Sequence, residues 1–256
     1  SEGWRPALTG LHFLPLFLVS VWLLNQLPRP RDTDGAARVE RVPMRAADRM
    51  AFIRHFLFGL VLLCVAYLFL TAYRDFRDNY QVELFDGLGY SYAKNKAIIT
   101  QAETIVMFGV IGAMALLNLI KDNRRGLIGA FSIMIGGAVL MGISTLLLEA
   151  GLMNGFWWMT CVGLGSYLVY VPYGSVLFDR LIASFRVAGT AVFAIYLADA
   201  IGYTGSVGVQ LFKDLLRSDL TRLGFFKGFT YFMSVVAVVC LVSSCLYFLR
   251  RQAKDS

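Results

Sequence analysis

The sequence predicts an all-α polytopic membrane protein with seven transmembrane helices, and three observations predict it. The first is composition: 57% of the 256 residues are hydrophobic and 16% are charged, where a soluble domain carries about 25% charged residues. The second is clustering. The apolar residues gather into seven runs, at about 8–27, 51–73, 97–120, 127–148, 156–178, 187–212 and 229–249, each close to the roughly 20 residues that cross a bilayer core. The third is the placement of Lys and Arg. The loop 28–50, the turns 121–126 and 179–186 and the C-terminal tail hold more basic residues than the intervening connections. The positive-inside rule assigns that richer set to the cytoplasm, which puts the N-terminus outside and the C-terminus inside.

Taken in order, run 8–27 follows a weakly charged start and has the length of a full span, not of a cleavable signal peptide. The loop 28–50, PRPRDTDGAARVERVPMRAADRM, mixes proline, glycine and both signs of charge, so it is expected to be mobile or partly helical. Run 51–73 passes into YRDFRDNY, an unusually charged end for an apolar helix. Run 97–120 contains Glu103. The glycines of SIMIGGAVLMG in run 127–148 suit close helix packing. Run 156–178 opens with Phe156, Trp157 and Trp158, as expected of an interfacial aromatic belt. In the same run Pro172 removes one backbone donor and frees the carbonyl of Leu168, which predicts a kink. Run 187–212 contains Asp199, and run 229–249 completes the set.

Several functions lack the residues they need. No Walker A sequence, GxGxxG, GxSxG or HExxH is present, so no nucleotide-driven pump and no common membrane hydrolase is expected. The chain reads as a non-enzyme with no catalytic residues and no cofactor. Two histidines and four scattered cysteines (Cys64, Cys161, Cys240 and Cys245) give no metal site. The net charge of +7 reads as membrane topology and not as nucleic-acid binding.

The chemistry gathers around polar residues at membrane depth. Asp199 is the sharpest, because a carboxylate there costs about 2.5–3.5 kcal/mol on insertion scales and usually faces a bundle interior or aqueous cavity. Tyr196, Asp199, Tyr203, Ser206 and Gln210 recur every three or four residues and form one stripe. They read as a substrate-binding or proton-coupling wall, or as a structural anchor. On run 51–73, Tyr67, Thr71, Arg74 and Asp78 share a face if the helix continues. Arg74 offers a fork of donors to an anionic solute, or it pairs with Asp78 one turn on. Asp75, Arg77 and Asp78 read as an outer salt-bridge network or gate. Glu103, Tyr170 and Tyr173 complete the candidate substrate-binding or coupling set.

One helix, a long basic loop and six further helices is the plan of the back part of a twelve-helix protein. The layout resembles the major facilitator superfamily, whose two six-helix halves are joined by a long cytoplasmic loop. NLIKDNRRG at 118–126 sits where that family has its cytoplasmic G-x-x-x-D-[RK]-x-G-R-[RK] loop. It keeps Asp122, Arg124 and Arg125, has Asn118 in place of the first glycine, and displaces Gly126. YRDFRDNY, VPYGSVLFDRLIASFR and YLADAIGYTGSVGVQLFKDL look like an uncharacterised bacterial subfamily known as a domain of unknown function.

The resemblance implies that 1–27 is the equivalent of helix six, 28–50 the central cytoplasmic loop, and 51–256 a six-helix C-terminal half made of two inverted three-helix repeats. It also implies a bacterial inner membrane, a missing N-terminal half as partner, and transport of a small polar or anionic solute by alternating access, with Asp199 as candidate proton carrier. A stand-alone seven-helix receptor or scaffold without transport is the alternative. A membrane enzyme built on Asp199 and Glu103 has no motif behind it.

Overall fold

The computed structural model describes residues 4–26, 44–185, 190–216 and 221–255. Among the described residues the regular structure is all helix and contains no strand. The helices are α1 (Arg5–Asn25), α2 (Ala46–Asn79), α3 (Gln81–Gly87), α4 (Ile98–Asn118), α5 (Asn123–Glu149), α6 (Gly155–Pro172), α7 (Phe178–Phe185), α8 (Ala191–Leu216) and α9 (Arg222–Asp255), with a π-helical turn at Tyr173–Leu177 joining α6 to α7. Six spans are long and apolar enough to cross a membrane: α2, α4, α5, Gly155–Phe185, α8 and α9. Such a set makes this an integral membrane protein, because helices satisfy every backbone donor and acceptor internally where no water can.

The outcome differs from the sequence expectation at several places. Six of the seven expected spans qualify; the apolar part of α1, Gly10–Asn25, is shorter than the rest. Most of the loop expected at 28–50 lies outside the described residues, which resume at Met44. α2 begins at Ala46 and runs 34 residues to Asn79, so the helix continues through the charged YRDFRDNY stretch as far as Asn79. Backbone dihedrals leave the helical range once inside it, at Phe56, where a buried ring packs edge-on against Phe52, His55, Phe185 and Phe248. The kink expected at Pro172 takes the form of the π turn that follows it. The aromatic belt is half right. Trp157 faces outward, but Trp158 is fully buried and its indole N–H donates to Thr145 Oγ1 at 3.0 Å.

Helix α1 belongs to one unit, Ser1–Glu40, and α2 to α9 belong to a second, Arg41–Ser256. Within the second unit, α2 packs on α8 and α9, α5 on α6 and α9, and α4 on α6. Small residues set the approach. A Cβ at Gly137 would lie 2.6 Å from the carbonyl oxygen of Gly165, and one at Gly165 would lie 2.5 Å from that of Gly137. The α5–α6 backbones therefore touch, the packing that substitutes for hydrophobic drive in lipid. A Cβ at Gly202 would lie 2.6 Å from Thr71 Oγ1 and 2.9 Å from Tyr67, so α8 lies directly on the polar face of α2.

Chain alternation sorts the connections onto two ends of this unit. At one end Arg180 donates to the carbonyls of Ile120 and Lys121 and to Asn123, and Arg251 meets His55 and Tyr247. At the other, Arg222 stacks on Tyr80 and Tyr231 donates to Glu149. α2 and α8 run parallel, since Phe52 meets Phe193, Tyr67 meets Asp199, and Asp75 meets Ser206.

Candidate functional site

The polar residues that the sequence singles out converge along the second half of α2, where α4, α6 and α8 surround it. They form three connected groups. The first lies between α2 and α8. Tyr67 donates its phenol to Asp199 Oδ1 at 2.6 Å. Its ring stacks on Tyr170, with centroids 5.5 Å apart, and leans on Tyr173 at 4.6 Å. Tyr173 is held in turn by donation to the carbonyl of Leu63. Pro172 and the π turn deliver this alignment, because Tyr173 is the first residue of the turn.

The second group is about two turns further on. The guanidinium of Arg74 lies 4.0 Å from the centre of the Tyr170 ring, on which Tyr67 also stacks. Its Nη2 pairs with Asp75 Oδ1 at 2.8 Å, and the other oxygen of Asp75 accepts from Ser206 at 2.6 Å. The partner of Arg74 is thus its chain neighbour, not Asp78 as helical spacing suggests.

The third group centres on Arg77, the largest charged side chain to be completely buried. Nη2 pairs with Glu103 Oε1 of α4 at 2.6 Å and reaches the Met159 carbonyl of α6 at 3.3 Å, while Nη1 pairs with Asp78 at 3.2 Å. Gln81 donates to the same Glu103 oxygen at 2.7 Å, and Tyr167 donates to Asp78 Oδ2 at 3.0 Å. Gly163 is essential to the arrangement, since a Cβ there would collide with the Arg77 guanidinium. In water such pairs contribute little. Here the guanidinium is desolvated and bridges three helices, so losing it leaves two carboxylates uncompensated.

At about 1.5 Å per residue the ladder from Tyr67 to Asp78 rises roughly 16 Å, half of a hydrocarbon core of about 30 Å. Among the other sequence candidates, Tyr196 and Tyr203 are exposed, at 68% and 57%, one turn either side of Asp199. Tyr196 also lines a cavity of about 520 Å³ with Met44, Arg49, Thr190 and Phe193. Asp122 does something local: it caps α5, accepting from the backbone N–H of Arg125 at 2.7 Å, while Arg124 and Arg125 are exposed at the far end from the ladder. Asn118, which stands in place of the first glycine of the loop motif, is exposed at the end of α4. Arg186 and Arg217, part of the charge asymmetry, lie outside the described residues.

Two contributors were not singled out. Tyr167 stands one turn before Tyr170, and Gln81 one turn after Arg77, so helical spacing was the available signal. Among the described residues no group of three or more His, Cys, Asp or Glu side chains is arranged to hold a metal ion.

Residues 1–251 match a family described as "Family of unknown function (DUF5690)". The chain belongs to that family. No curated protein and no solved structure matches it.

Proposed function

We propose that this DUF5690 protein is a secondary transporter of a small polar solute, working by alternating access in a bacterial inner membrane, with the C-terminus cytoplasmic. The observation that carries the reading is the ladder itself. Six ionisable groups and four phenols run along the interface of four apolar helices, at depths where each isolated charge is costly. A membrane anchor or passive scaffold has no need of them. The resemblance to the major facilitator superfamily supplies the frame. The six spans then form a half of two inverted three-helix repeats, α2–α4–α5 and α6–α8–α9, and the solute site lies near the midplane between that half and a second one. The exposed side of Asp199, Tyr196 and Tyr203 is the wall that the second half faces.

In this reading Asp199 and the surrounding tyrosines handle the solute and its coupling ion. The Arg77 node acts as the gate at the outer end, because it ties α2, α4 and α6 together and must loosen for them to move apart. No covalent chemistry is involved. Proteoliposomes holding the intact protein should take up at least one class of small polar solute when a proton or solute gradient is imposed. Asp199→Asn should abolish that uptake while the protein remains folded. Uptake that never exceeds protein-free liposomes across cationic, anionic and neutral solutes contradicts the reading.

A further inference from the structure

We propose that the solute handled at this site carries an amine cation, seated on Asp199 against tyrosine rings. The inference rests on the transport reading and names its substrate class. Net charge and the fork of Arg74 suggest an anion from sequence alone, yet the geometry points the other way. The ladder holds four carboxylates (Asp75, Asp78, Glu103 and Asp199) and two guanidinium groups (Arg74 and Arg77). Arg74 is neutralised by Asp75 at 2.8 Å, and Arg77 by Glu103 and Asp78 at 2.6 and 3.2 Å. Asp199 has no cationic partner among the described residues. Among the described residues its single hydrogen bond is the Tyr67 phenol on Oδ1, which leaves Oδ2 without a described partner on a half-buried side chain. A carboxylate at this depth without a counter-charge is an electrostatic vacancy for a cation.

Its surroundings select the kind of cation. Tyr67 stacks on Tyr170 and leans on Tyr173 on one side, and Tyr196 and Tyr203 stand exposed one turn either side of Asp199 on α8. Aromatic faces attract organic cations through the ring quadrupole. The stack already carries one: the Arg74 guanidinium lies 4.0 Å from the Tyr170 ring centre. A hard metal cation takes six or more oxygen ligands, and one carboxylate among phenols does not supply them. A transferable proton needs the carboxylate and has no use for the rings.

The test uses the intact protein in detergent at fixed ionic strength, with three probes: benzyltrimethylammonium, phenethylamine and putrescine. Phenylacetate and benzyl alcohol serve as the anionic and neutral counterparts. Ligand binding to the folded state raises the melting temperature in a concentration-dependent way. At least one amine should give a saturable rise that neither counterpart matches. Asp199→Asn keeps an acceptor for Tyr67 and should weaken that amine at least about tenfold. Asp199→Glu should restore part of it, and Asp122→Asn, at the far end of the bundle, should leave it unchanged. The proposal is overturned by no shift with any amine, by a larger shift with phenylacetate, or by equal amine binding in Asp199→Asn. A pH-dependent stability that Asp199→Asn removes, without amine binding, marks a proton carrier and also overturns it. Failure here with intact uptake of an anionic or neutral solute leaves the transport reading standing. Amine binding without any uptake does the reverse.

Discussion

Arg77 on α2 and Asp199 on α8 sit in the same ladder about three helical turns apart, and they are opposite kinds of buried charge. Arg77 is entirely enclosed, pairs with two carboxylates from two helices, touches a backbone carbonyl of a third, and fills the space that Gly163 leaves. Asp199 is half-buried, has one phenol for company and faces an open side lined by exposed tyrosines. A charge neutralised by opposite charges is a fastening, even though the buried Nε of Arg77 has no partner among the described residues. One without a counter-charge is a site. The difference teaches that depth alone does not mark a candidate binding residue; the count of its partners does.

Breaking the fastening should be the largest effect. Arg77→Met removes the guanidinium between Glu103 and Asp78. These carboxylates are 32% and 38% exposed, so the loss belongs at the lower end of the range for a broken buried pair, about 3 kcal/mol. Unfolding in graded denaturing detergent measures it. Asp199→Asn in the same assay should change stability by about 0.5 kcal/mol or less, since asparagine still accepts from Tyr67. Equal losses in the two variants would erase the distinction drawn here.

Glycine substitutions sharpen the comparison at the next level down. Gly163→Ala drives a methyl into Arg77, and Gly202→Ala drives one into Thr71 and Tyr67. Each should cost about 1–3 kcal/mol, as overpacking does. Only Gly202→Ala should weaken amine binding, because it separates α8 from α2 beside Asp199. The smallest effects belong to the phenols. Tyr67→Phe and Tyr167→Phe each remove one interhelical hydrogen bond, worth about 0.6 kcal/mol in membrane proteins. They should look alike in stability and part in binding, where Tyr67→Phe changes amine affinity and Tyr167→Phe does not.

Much of this was legible in the sequence, for physical reasons. Apolar run length gives the spans, and period 3.6 gives the face that joins Tyr67, Thr71 and Arg74 and the stripe through Asp199 and Ser206. The pairing was not legible. Helical spacing offers Asp78 to Arg74, yet Arg74 pairs with Asp75, because Asp78 is drawn to its neighbour Arg77 and, across the α2–α6 interface, to Tyr167. That choice depends on which helix lies alongside, which period does not reveal. The same limit hid the role of Trp158. Three aromatics at a helix start suit a belt, but the position of Thr145 on α5 turns one of them inward.

The measurement that tests the central claim most directly is access to the open side of Asp199. Tyr203→Cys, in intact protein with Cys64, Cys161, Cys240 and Cys245 replaced by serine or alanine, is labelled with a membrane-impermeant maleimide in sealed vesicles of each orientation. Alternating access predicts that the label reaches residue 203 from both faces, and that a bound amine slows it from each. Labelling from one face only, unchanged by any solute, is the behaviour of a fixed receptor or scaffold and would contradict the account.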